Sequence, residues 1–274
     1  MSCREFEKVS GWQNCLPIVL ILVLFSAGSC VNRNASANSK KGAKPPLQPA
    51  HWLRETPFKS AKGRPIDVYV FGSGKPSVLV VGGIHGDERP AAEMGELLLA
   101  HLKLIGASRF RNRVVVIPVA NPDGVAAGTR GNSRGVDINR NFPTKDFVTG
   151  CSGRYHGGRK PLSEPETRAI FDTVCRYHPA LILTFHAPLG KIVYNGPSVD
   201  VAKRMAKRNK FPIQQGVPYP TPGALGAYYG YERRLPVVTL ELRASDNQWK
   251  RHGRAVLEAV GVIGDSSGAT LGKK

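Results

Sequence analysis

Four short apolar runs constrain this chain more than any other feature. They are SVLVVGG (77–83), RVVVIPVA (113–120), ALILTF (180–185) and VVTLEL (237–242). Each has the length and β-branched content of a buried strand. IDVYVFG (66–72) adds a fifth strand. Segments with helical spacing lie between and after them: AAEMGELLLAHLKL (91–104) with Pro90 near its first turn, EPETRAIFDTVCRYH (164–178), PSVDVAKRMAKRNK (197–210) and NQWKRHGRAVLEAVGV (247–262). Asn121-Pro122-Asp123-Gly124, after the second run, reads as a turn. Strands that alternate with helices imply an α/β fold with parallel neighbours in the sheet.

The chain has 274 residues, enough for one domain with a sizeable core. Its first thirty residues have the form of an export signal. A charged stretch (Arg4, Glu5, Glu7, Lys8) precedes LPIVLILVLFSAG, which is too short to span a bilayer comfortably, and Ala27-Gly28-Ser29-Cys30 follows. Small residues directly before a cysteine resemble a bacterial lipoprotein cleavage site, so Cys30 is expected to become a lipidated N-terminus. Ala27 stands where such sites usually carry Leu; ordinary signal cleavage and an uncleaved anchor are the alternatives. The expected organisation is a signal at 1–29, a flexible tether at 30–55, the folded domain at 56–263 and a flexible tail at 264–274. Tether and tail are poor in apolar residues.

Outside the signal region only Cys151 and Cys175 remain, a pair that an oxidising compartment could bridge. The formal net charge is +19, and removing the signal leaves it unchanged because Arg4 and Lys8 offset Glu5 and Glu7. The basic residues are scattered and accompany no nucleic-acid motif, so no nucleic-acid partner is expected. KRMAKRNK (203–210) is the one dense run. It reads either as a solvated helix face or as a surface for an anionic cell envelope.

The ends of the strands carry the chemistry. His85 follows SVLVVGGI, with Glu88 three residues on; His186 follows ALILTF; Glu241 closes VVTL. Ligands in open α/β sheets bind beyond the carboxyl ends of the strands, so these residues can meet in one crevice. Two imidazoles and a carboxylate form a three-ligand zinc set that leaves a position for water. Such an ion lowers the pKa of its water to about 7 and polarises a carbonyl. Glu241 is the candidate general base and acid. The bland reading of His85 beside Glu88 is an ion pair. His156 and His178 end no strand and read as structural.

HGDE (85–88), NPDG (121–124), GVDINRNFP (135–143), TFHAPLG (184–190) and TLEL (239–242) together resemble the M14 zinc carboxypeptidase family. GGIHGDE, GVDINRNFP and SEPET (163–167) are similar to its murein peptide amidase A group. The resemblance covers roughly residues 65 to 262. It implies a central mixed, largely parallel sheet flanked by helices, and one Zn2+ per chain held by His85, Glu88 and His186. Glu241 becomes the catalytic carboxylate. Asn139 and Arg140 become the clamp on a substrate carboxylate, a task suited to a forked guanidinium. Arg130 stabilises the oxyanion, with Arg134 as a rival for that place. Asp137 orients the first histidine, and Tyr219 closes over the substrate.

The implied reaction is hydrolysis of an amide next to a free carboxylate: the bond between γ-D-glutamate and meso-diaminopimelate in peptidoglycan peptides. Zinc-bound water would attack with Glu241 as base. The familiar members of that group work in the cytoplasm, whereas this chain has an export signal, so free muropeptides and intact wall stems both stand as substrates. Ala187 also replaces an acid found after the ligand histidine in those relatives. A general exported carboxypeptidase acting on L-peptides would share every catalytic residue. An N-acyl-amino-acid deacylase would share the HGxE start, though NPDG and TLEL argue against it. A wall-binding lipoprotein without activity would have no use for the complete set of ligands. Neither side-chain preference nor oligomeric state can be read from these motifs.

Overall fold

The computed structural model describes residues 52–149 and 153–262. The expected signal, Cys30, Cys151 and the tail from 264 lie outside these residues. Cys175 is disulfide-bonded.

Eight strands form one sheet in the order β1-β2-β4-β3-β5-β8-β6-β7. They are β1 (Trp52–Lys59), β2 (Pro65–Phe71), β3 (Ser77–Val81), β4 (Arg113–Ile117), β5 (Pro179–His186), β6 (Lys191–Asn195), β7 (Ile213–Gln215) and β8 (Val237–Glu241). Pairing is parallel for β3–β4, β3–β5, β5–β8 and β6–β7, and antiparallel for β1–β2, β2–β4 and β6–β8. The mixed, largely parallel sheet is therefore present. β3, with all five residues buried, lies at its centre between layers of helix, as an all-apolar parallel strand requires.

The helices among the described residues are α1 (Arg89–Leu104), α2 (Pro122–Ala127), α3 (Pro165–Tyr177), α4 (Val199–Asn209) and α5 (Gln248–Ala259). Met94, Leu98 and Leu102 of α1, Ala202 and Met205 of α4, and Ala255 and Val256 of α5 join Val78, Val80, Val114, Val116, Leu183 and Leu240 of the strands in one core. Among the described residues, no helix is long and apolar enough to cross a membrane.

Three features depart from the sequence reading. The sheet begins at Trp52, ahead of the first strand read from the sequence at 66–72, because β1 pairs with β2 from Trp52↔Phe71 onward. Asn121-Pro122-Asp123-Gly124 opens the short helix α2 instead of ending as a turn. Asn121 Oδ1 accepts from the Gly124 N–H at 2.9 Å, and Pro122 fills the first helical position, where its missing N–H costs nothing. β6, β7 and the π-helical turn Gly226–Glu232 have no counterpart in the sequence reading, and β6 and the turn line one side of the site.

Candidate metal centre and its cavity

β3 ends in Gly82-Gly83, and the loop that follows carries His85, Gly86 and Glu88 to the N-terminus of α1. A Cβ at Gly86 would overlap the backbone of Gly124, so only glycine lets this loop lie against α2. β5 ends at His186, whose register partner on the neighbouring β8 is Glu241. The parallel strands thus place both residues at the same level of the sheet.

His85, Glu88 and His186 converge, each nearly closed to solvent. His85 Nδ1 is 2.8 Å from Glu88 Oε1, His186 Nδ1 is 2.9 Å from Glu88 Oε2, and the two Nδ1 atoms are 3.1 Å apart. His85 Nε2 lies 3.0 Å from Asp137 Oδ1. With that nitrogen donating its proton to Asp137, a neutral His85 points a lone pair at a carboxylate oxygen and at a second imidazole nitrogen. That grouping repels itself unless a cation sits within it. Tetrahedral zinc ligands at 2.0–2.1 Å lie roughly 3.3 Å from one another, close to the separations here, and His and Glu are ordinary zinc donors. The residues therefore fit a zinc ion.

The charges agree. Burial opposes protonation of His85, but Asp137 and Glu88 overcome it and raise its pKa above the usual imidazole value. Burial would lift Glu88, yet His186 and His85 hold its carboxyl well below the carboxylate range. Asp137 is held low in the same way by His85, Arg130 and Arg140. Glu241 behaves differently. Burial raises its pKa, His186 opposes, and the Glu88 carboxylate raises it further. A carboxylate whose pKa is raised is the better proton acceptor.

A cavity of ≈ 420 Å³ opens beside the centre and, among the described residues expected at the site, is lined by all except Asp137. Asp137 lies behind it, fully buried. It accepts from Arg130 Nε at 3.0 Å and from the Asn139 N–H at 2.9 Å, besides holding His85. Arg130 also reaches Glu88 Oε1 at 3.2 Å. Arg134 points to Glu164 and does not line the cavity, whereas Arg130 does. Arg140 donates to the Asn139 carbonyl at 2.8 Å, and Asn139, which lines the cavity, accepts at Oδ1 from the Leu225 N–H at 2.8 Å. Burial lowers the Arg140 pKa, and Asp137 counters it. Tyr219 stands at the mouth, 53% exposed. His156 does structural work: its carbonyl accepts from the Asp137 N–H at 2.8 Å.

Several lining residues escaped the sequence reading. The Tyr155 ring lies 5.5 Å from the Arg130 guanidinium and 5.3 Å from that of Arg140, within range of a cation–π contact with each. Arg154, Asn195 and Thr239 also face the cavity. Of these only Thr239 left a signal: it stands two residues before Glu241, on the same face of a strand.

Residues 56–198 match the family model described as zinc carboxypeptidase, Peptidase M14. The chain is similar to murein peptide amidase A of Escherichia coli (strain K12), with 34% identity over 166 residues, 56% of this chain and 66% of that protein. It thus spans just under two thirds of that relative's length. Among solved structures it resembles murein-tripeptide amidase from Escherichia coli O157, with TM-score 0.65 and 27% identity, covering 82% of this chain and 96% of that one. The carboxypeptidase A of Helicoverpa armigera shares the fold, with TM-score 0.61 at 20% identity over 77% of this chain and 68% of that one. The matched segment carries His85, Glu88 and His186, and the structural likeness extends beyond it, so this chain belongs to the M14 zinc carboxypeptidase family.

Proposed function

We propose that the protein is an envelope metallopeptidase that hydrolyses the γ-D-Glu–meso-diaminopimelate amide of peptidoglycan peptides. The observation that carries this reading is the placement of a carboxylate clamp, Asn139 and Arg140, in the same cavity as the His85–Glu88–His186 centre and Glu241. The similarity to murein peptide amidases supports the peptide class.

Zinc held by His85, Glu88 and His186 would supply a Lewis acid for the scissile carbonyl and an acidified water. Glu241 takes the proton of the attacking water and passes it to the leaving amine, so its raised pKa suits both halves of the transfer. Arg130 offers a guanidinium for the charge that grows on the carbonyl oxygen. Arg140 and Asn139 fix the free carboxylate next to the bond, which favours cleavage at a chain end. Asp137 keeps His85 in one tautomer and one orientation. Tyr219, exposed at the mouth, can swing over a bound peptide.

The setting rests on sequence: the apolar run before Ala27-Gly28-Ser29-Cys30 supports export, with Cys30 lipidated. The chain's positive charge then favours approach of an anionic substrate.

The zinc-loaded protein should release meso-diaminopimelate from L-Ala-γ-D-Glu-meso-diaminopimelate and leave ordinary L-peptides intact, as chromatography of the freed amino acid will show. Release from the L-peptides alone overturns the amidase reading and favours a general carboxypeptidase.

A further inference from the structure

The floor of the cavity contains a buried polar group that the reaction above does not use. Asn195 is the last residue of β6, is 8% exposed and lines the cavity. Its backbone carbonyl accepts from Ser198 Oγ at 2.9 Å, but its side-chain amide bonds to no group among the described residues. The surrounding chain is shaped to keep it there. A Cβ at Gly226 would stand 2.8 Å from Asn195 Oδ1, and one at Gly230 would overlap Asn195 Cβ. Two glycines of the π-helical turn thus leave a slot for this amide.

The register sets its depth. On β6 and β8, Lys191 faces Glu241, Val193 faces Thr239 and Asn195 faces Val237. Asn195 therefore lies four residues along the sheet from the level of Glu241, or roughly 13 Å at the rise of a strand. A residue whose side chain carries its polar end about 7 Å from the amide nitrogen matches that span, with a hydrogen bond of about 3 Å at each end. Val193, Asn195, Gly226, Ala227 and Thr239 bring no charge to this floor. An isolated ammonium would find no counter-charge there, and an apolar side chain would leave the Asn195 amide unpaired. A primary amide both donates and accepts, so one side chain can serve a carboxylate with Nδ2 and an ammonium with Oδ1.

We propose that Asn195 is the specificity residue of this site, its amide reading a zwitterionic amino-acid group at the far end of the departing residue's side chain. The inference rests on the amidase reading above and assigns the discrimination within it to one residue. A site built around a hydrogen-bonding group rejects analogues that lack the partner.

The test uses the full zinc-loaded chain with L-Ala-γ-D-Glu-X, where X is meso-diaminopimelate, L-lysine or L-norleucine, and calorimetric binding of free meso-diaminopimelate. The wild type should favour the diamino diacid over both others by at least about 30-fold in kcat/KM. Asn195→Leu should bring norleucine to within about threefold of the diamino diacid and weaken binding of the free diamino diacid about tenfold. Asn195→Asp should move the preference toward lysine. Zinc content and Tm equal to wild type show that each variant is folded. Unchanged preference and binding in both variants overturn the role of Asn195 while leaving the amidase reading intact. Failure to cleave any of the three overturns the amidase reading, and the binding measurements then still decide Asn195.

Discussion

Glu241 is the residue on which the chemistry turns, and its environment separates its task from that of Glu88. Both are carboxylates near two imidazoles, yet Glu88 is held ionised while burial pushes Glu241 upward. Glu241→Gln keeps shape and volume but cannot accept a proton. It should retain one zinc per chain by metal analysis and lose at least about a thousandfold in kcat, within the scale of general acid–base catalysis. Turnover within tenfold of wild type removes Glu241 from the mechanism. Residues of this kind were legible in the sequence because each stands where an apolar run stops: His85 and His186 after β3 and at the end of β5, Glu241 at the end of β8. Tyr155 and Asn195 were not legible. Nothing near them along the chain requires a function, and only the packing of a 3-10 turn and of β6 around the cavity makes them neighbours of Arg130, Arg140 and Thr239.

The elements show the same division. β3, β4, β5 and β8 announced themselves as apolar runs because helices cover both sides of the sheet there. β1 did not, since most of WLRETPFK faces solvent; nor did β7, three residues at the sheet edge. α4 and α5 were plain from their spacing, but the contact between them was not. His252 of α5 is fully buried, with Nδ1 3.2 Å from Asn209 Nδ2 at the end of α4 and Nε2 3.4 Å from Asp246 Oδ2. Burial lowers its pKa, Asp246 opposes, and Arg251 and Arg243 lower it further. The unfolded chain binds a proton at His252 near pH 6.5, before the folded chain does, so folded stability declines as pH falls below that value. His252→Gln cannot charge. Between pH 7 and 5.5 the wild type should lose more stability than this variant, read from urea midpoints at the two pH values. Equal losses would show that His252 does not titrate differently on folding.

At the scale of the whole molecule, the candidate centre ties together segments that the sequence holds far apart: the loop after β3, the end of β5 and, through Asp137 and Arg130, the segment between α2 and α3. This junction assembles imidazole nitrogens and carboxylate oxygens at 2.8 to 3.1 Å, separations that suit a shared cation. An ion bound there acts on the folded state alone, because the unfolded chain cannot bring His85 and His186 together across 101 positions. Free zinc at a thousand times its Kd adds about 4 kcal/mol of stability by mass action. For a domain of this size that is roughly 8–16 °C in Tm. Stripping the protein with a chelator should therefore lower Tm by about 10 °C, and restoring zinc should recover it. His186→Ala removes one of three ligands, so its Tm should respond to neither treatment. A wild type equally indifferent to chelator and zinc would mean that these three side chains meet for structural reasons and hold no metal.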